Sequence, residues 1–152
     1  MESADLLFRA ANAVAVAGWI ALAVSPATAR WAPQVRRITG RWLPLAFALV
    51  YIVLMATHLG AEGGFGSVAQ VQKLFAVPGL VVAGWLHYLA FDLYVGSWIA
   101  ERAGALGIPH GIVIALLLLT FMFGPAGLLA YAALRAMVYR GDAAAASARR
   151  PA

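Results

Sequence analysis

His87 and Asp92 are the residues whose types could do acid–base chemistry in a place where such groups are costly. They lie within Val77 to Ala100, VPGLVVAGWLHYLAFDLYVGSWIA, a stretch otherwise apolar enough to cross a bilayer. An aspartate at the centre of a spanning helix costs about 3 kcal/mol on insertion scales, so it needs a partner or a function. A buried carboxyl group is suited to giving up a proton, and a neutral imidazole to taking one. The two residues are five apart, about 500° of helix, so their side chains diverge by about 140°. Asp92 shares its face with Tyr88 and Gly96, and His87 shares its face with Phe91 and Tyr94. A site that used both would have to wrap around this helix. The structural alternative for each is a hydrogen bond to Thr57, Thr120 or a tyrosine that fixes helix packing.

Other chemistries are poorly supported. His58, His87, His110 and Asp92 are suitable ligand types for zinc or iron, but no H-x-x-H or H-x-x-x-H pair occurs, so no metal site and no cofactor are expected. The chain has no cysteine, which removes disulfides, thiolate ligands and a cysteine nucleophile. Neither Ser67 nor Ser97 lies in a Gly-x-Ser-x-Gly turn, and Gly60 to Gly66 lacks the lysine of a phosphate cradle. The arginines are scattered without an interleaved aromatic surface, which argues against nucleic acid.

The elements that must position these residues are apolar helices. Of 152 residues, 64% are hydrophobic and 11% charged, with a mean hydropathy of +0.86. A soluble domain has about 25% charged residues, so an all-α integral membrane protein is expected, with the lipid bilayer as its solvent. Four spanning helices are read at about 7–27, 43–61, 79–100 and 112–136, with a short amphipathic helix at about 67–76. Residues 1–140 read as one membrane domain and 141–152 as a disordered polar tail. Ala27-Thr28-Ala29 resembles a signal-peptide cleavage site, but Glu2 and Asp5 replace the expected basic cluster, so the first segment is read as a retained span. Pro44 suits the first turn of the second span, and Pro125 predicts a kink in the fourth, where Gly124 and Pro125 could open a groove for a long apolar ligand.

Four spans put both termini on one side. Arg30, Arg36, Arg37, Arg41 and Arg102 then make five cations on one side, against six from Arg9, Lys73, Arg135, Arg140, Arg149 and Arg150 on the other. The positive-inside rule therefore leaves orientation undecided.

The block Trp85-Leu86-His87-Tyr88-Leu89-Ala90-Phe91-Asp92-Leu93-Tyr94-Val95-Gly96, the pairs Trp98-Ile99 and Pro109-His110, and the run Phe123-Gly124-Pro125-Ala126-Gly127 resemble the abscisic-acid-deficient-four-like membrane family. The resemblance covers roughly residues 67–135. Plant members of that family are required to make neoxanthin from violaxanthin. The resemblance implies a membrane protein of carotenoid or isoprenoid metabolism, either a cofactor-free isomerase opening an epoxide to an allenic alcohol or a non-catalytic carotenoid- or lipid-binding subunit. Asp92 and His87 would be the acid and base, and Trp85, Tyr88, Phe91, Tyr94, His58, Phe123, Gly124 and Pro125 would line the ligand. The expected partners are an apolar carotenoid or isoprenoid and a membrane-protein partner or second copy of the chain. Ser97 departs from the family, which commonly has arginine after Val-Gly, so a cation near Asp92 is either missing or supplied by Arg102. The alanine- and arginine-rich composition and the lack of a serine-rich leader point to a multi-pass protein of a bacterial inner membrane.

Overall fold

The computed structural model describes residues 2–148, with side chains through Val138. The described residues form six helices: α1 (Glu2–Ala23), α2 (Ala32–Thr57), α3 (Val68–Leu74), α4 (Pro78–Ala105), α5 (His110–Phe123) and α6 (Pro125–Ala148). Three of them, α1, α2 and α4, are long and apolar enough to cross a membrane, at 22, 26 and 28 residues. The described residues contain no strand.

Helix α4 is central and packs against α1, α2 and α5. Its buried side includes Leu86, Leu89, Leu93 and Ile99, and small residues bring its neighbours close. Gly96 leaves only enough room for the Trp19 ring of α1, and Gly40 of α2 lies against Ser97. Close approach through small residues is how helices pack without a hydrophobic driving force between them. The short α3 begins at Ser67, whose hydroxyl accepts from the Gln70 backbone N–H at 3.3 Å. The Gln70 side chain accepts in turn from Gly66 N–H, a reciprocal arrangement that satisfies two donors at the helix start.

Two expectations about the second span are revised. The segment from Arg30 to Arg41, which lies ahead of the expected start near residue 43, is helical from Ala32 onward, so Arg36, Arg37 and Arg41 lie on α2 itself. Pro44 is therefore not in a first turn but well inside a long helix. Proline has no N–H for the carbonyl four residues back and its ring crowds that carbonyl. The chain absorbs this with a π turn over Ile38–Trp42, in which the Leu43 N–H bonds back to Ile38.

The expected fourth span is not one helix. It breaks at Gly124, and the chain reverses there. Gly124 lies beside Asp92, whose Oδ1 would be 2.9 Å from a Cβ on that glycine. Seven residues on, the Tyr131 ring meets Trp98 edge-on at 5.2 Å. Trp98 is six residues beyond Asp92, about 9 Å along α4. Helix α5 runs antiparallel to α4 from His110, which bonds the Ala23 carbonyl at 2.9 Å, so an unbroken course would carry Tyr131 away from Trp98. Thus α5 and α6 form a tight helical hairpin that enters and leaves at the same end of the bundle, and neither the 14 residues of α5 nor the apolar Pro125–Val138 is long enough to span. The alanine-rich segment expected to be disordered continues α6 to Ala148, in keeping with the high helix propensity of alanine, and residues 149–152 lie outside the described part.

The hairpin moves the end of the chain across the membrane and breaks the tie in charge. Among the described side chains, Arg30, Arg36, Arg37, Arg41, Arg102 and Arg135 now mark one end, and Arg9 and Lys73 the other. The six-to-two excess predicts that the arginine-rich end is cytoplasmic. Epitope tags at the two termini should accordingly be protected on opposite sides of sealed vesicles, with the C-terminal tag cytoplasmic. Tags on the same side would restore the four-span topology.

Candidate functional site

The helical divergence of His87 and Asp92 is retained in three dimensions, and the two residues line different cavities on different faces of α4. Asp92 faces a cavity of about 230 Å³ enclosed by α1, α4 and α5, together with Asn12, Trp19, Trp85, Tyr88 and Phe121. The polar groups of this cavity are mostly committed. Trp85 Nε1 donates to Asn12 Oδ1 at 2.9 Å, and Asn12 Nδ2 donates to the Phe8 carbonyl one turn earlier at 2.9 Å. The Tyr88 hydroxyl donates to the Phe121 carbonyl at 3.2 Å. Asp92 is the exception, because its Oδ2 is buried with no hydrogen-bond partner among the described residues.

The position of Asp92 also has a structural side. Its carboxylate packs on Gly124, the residue before the first turn of α6, and so sits near the positive end of that helix's dipole. Gly124 has φ +38 and ψ −91, a conformation for which side chains other than glycine's are poorly suited. The backbone at the reversal is nonetheless satisfied. Gly124 N–H donates to Thr120 at 2.7 Å, and the Gly124 carbonyl accepts from Gly127 at 3.1 Å.

His87 lines a larger cavity of about 490 Å³ between α2, α4 and the segment leading through α3, with Tyr51, Met55, His58, Phe75 and Gly84. Its ring lies 4.7 Å from that of Phe91 and 5.7 Å from that of Tyr51. His58, which the spacing could not connect to His87, lines the same cavity. His58 Nδ1 donates to the Leu54 carbonyl at 2.7 Å, and the far edge of the ring packs on Gly79. No group of three or more His, Asp or Glu ligands comes together among the described residues.

The remaining expected ligand contacts are divided. Trp85 and Tyr88 join Asp92, whereas His58 joins His87. Phe91 is exposed on the outer face of α4, and Tyr94 borders a third cleft at the arginine-rich end. Phe123 is 64% exposed and Pro125 lies on the surface of the hairpin, so only Gly124 of that motif reaches a cavity residue. Asn12, Trp19 and Phe121 were not expected in the site. Asn12 could have been noticed as a polar residue inside the first apolar run, but nothing in the spacing singles out Phe121. Arg102 is not among the residues lining the cleft at Ser97, where the cations come instead from Arg36, Arg37 and Arg41.

These features define a membrane-type helical protein with a largely apolar cavity that holds one carboxyl group and a re-entrant hairpin bordering it. The chain belongs to the ABA DEFICIENT 4-like family, which matches residues 6–131 and so includes every residue of both cavities. At the level of the family this makes it a carotenoid- and neoxanthin-related membrane protein. No curated protein and no solved structure matches the chain.

Gly124→Ala should destabilise the protein by about 1–3 kcal/mol, because the added Cβ meets the Asp92 carboxylate in a backbone conformation that alanine resists. Thermal unfolding in detergent measures this. Gly111→Ala, where a Cβ meets nothing within 4 Å, is the control expected to leave the midpoint unchanged.

Proposed function

We propose that the protein isomerises a carotenoid or similar long isoprenoid in the membrane, with Asp92 as the reacting group. The observation that carries this is the Asp92 cavity, which is lined by aromatic and apolar side chains and holds a carboxyl group with one buried oxygen free for a ligand. Opening an epoxide to an allenic alcohol needs a proton delivered to oxygen and a proton taken from carbon. The Asp92 O–H gives its proton to the epoxide oxygen as the C–O bond breaks. The carboxylate then takes the vinylic proton as that C–H electron pair becomes the second double bond of the allene. Substrate and product are isomers, and no oxidant or reductant is consumed.

This assigns both steps to one carboxyl group rather than to a pair. His87 lines a different cavity on another face of α4, so this proposal gives it no catalytic role. Tyr88 and Trp85 shape the site beside Asp92. The proposed setting is the inner membrane of a bacterium. A second reading, a non-catalytic subunit that holds pigment for a partner, draws on the packing of Asp92 against the Gly124 turn.

Asp92→Asn preserves the shape at Gly124 and removes the acid. It should lower conversion of an epoxycarotenoid in membranes by about 100-fold or more, while His87→Ala stays near wild type. Pigment chromatography reads the conversion and gel filtration confirms folding. Undiminished turnover by folded Asp92→Asn would remove the carboxyl group from the chemistry. Pigment that copurifies without conversion by the wild-type protein would favour the second reading.

A further inference from the structure

A third cleft, of about 450 Å³, opens at the arginine-rich end between the first turns of α2 and the last turns of α4. Its lining includes Arg36, Arg37, Arg41, Tyr94, Trp98 and Glu101. Three arginines and one glutamate thus line the cleft, an excess of two positive charges. No ion pair between Glu101 and these arginines occurs among the described residues, and Arg36 Nε is buried without a hydrogen-bond partner. Arg41 is held over the Trp42 ring at 5.3 Å. Serine at position 97 keeps the floor of the cleft small, and its hydroxyl donates to the Arg36 carbonyl at 3.1 Å, tying α2 to α4.

The local backbone gathers these cations. In a regular α-helix, residues five apart such as Arg36 and Arg41 diverge by about 140°. The π turn over Ile38–Trp42 widens the helix between them and reduces that divergence, and both arginines line the cleft. From the cleft, Trp98, Tyr94, Phe91 and His87 follow at spacings of four and three along one face of α4, an aromatic track of about 16 Å leading into the membrane.

We propose that this cleft binds the phosphate group of an amphiphile, with its apolar chain lying along the aromatic track. Guanidinium forks match phosphate oxygens in geometry and charge, and the cleft sits where the headgroup of a membrane lipid lies. The same chemistry is offered by an anionic phospholipid and by a prenyl diphosphate. The site is separate from the Asp92 cavity and does not depend on the isomerase reading.

The full-length protein in neutral detergent can be titrated with phosphatidic acid, geranylgeranyl diphosphate, inorganic pyrophosphate and the uncharged diacylglycerol, with thermal midpoint and tryptophan fluorescence as readouts. Saturable stabilisation by one or both phosphate-bearing amphiphiles, without an effect of diacylglycerol, is expected. The stronger of the two identifies the source. Arg36→Gln and, separately, the exposed Arg41→Gln should each weaken half-saturation about tenfold, and Glu101→Gln should tighten it. Equal binding by wild type and both folded arginine variants, a response to pyrophosphate alone, or no response to any phosphate-bearing probe would overturn the proposal.

Discussion

A chain can reverse inside a membrane only where the turning backbone is shielded and bonded, and Gly124 meets that condition, buried against Asp92 of α4 with its own N–H and carbonyl bonded. The rest of the architecture depends on it. Gly127 brings the first turn of α6 close enough to Thr120 that a Cβ would lie 2.6 Å from the Thr120 Cα, so the two hairpin helices touch at the backbone. Thr120 turns its own hydroxyl back to the Leu116 carbonyl at 2.8 Å and presents no unsatisfied donor to the contact. The hairpin in turn supplies Phe121 and Tyr131 to α4, closing the Asp92 cavity at one level and packing Trp98 at another.

Helix α4 serves three environments because of its length and its regularity. Twenty-eight residues without an internal break carry Asp92 to the α1–α5 side, His87 to the α2 side and Glu101 to the basic cleft. A carboxyl group and an imidazole that look like neighbours in the sequence are therefore separated by the body of the helix. This separation is why the acid–base chemistry is assigned to one group, and why His87 and His58 belong to a different space.

Proline acts differently at its two informative positions. At Pro44 the preceding turn widens into a π turn and the helix continues. At Pro125 the preceding glycine takes a backbone conformation open to few other residues, and the helix ends. The same missing N–H thus gives a π turn in one place and a reversal in the other. The difference lies in what the local chain can adopt: Gly124 can turn the path, while the residues before Pro44 remain helical.

The sequence by itself determined the helical class, the three long apolar helices, the amphipathic α3 and the divergence of His87 from Asp92, because each rests on local periodicity and composition. It also carried the family resemblance in the Trp85–Gly96 block. It could mark Gly124-Pro125 as a break but not distinguish a kink from a reversal, since that depends on whether α4 offers a surface against which the turn can be buried. It could not place His58 with His87, or Asn12 and Phe121 with Asp92, because those pairings join residues 29 to 80 positions apart through helix packing. The charge balance shows the same division. The arginines were countable from the start, but the side each one occupies was settled only when the tertiary contacts of Gly124 and Tyr131 showed the direction in which α6 leaves the membrane.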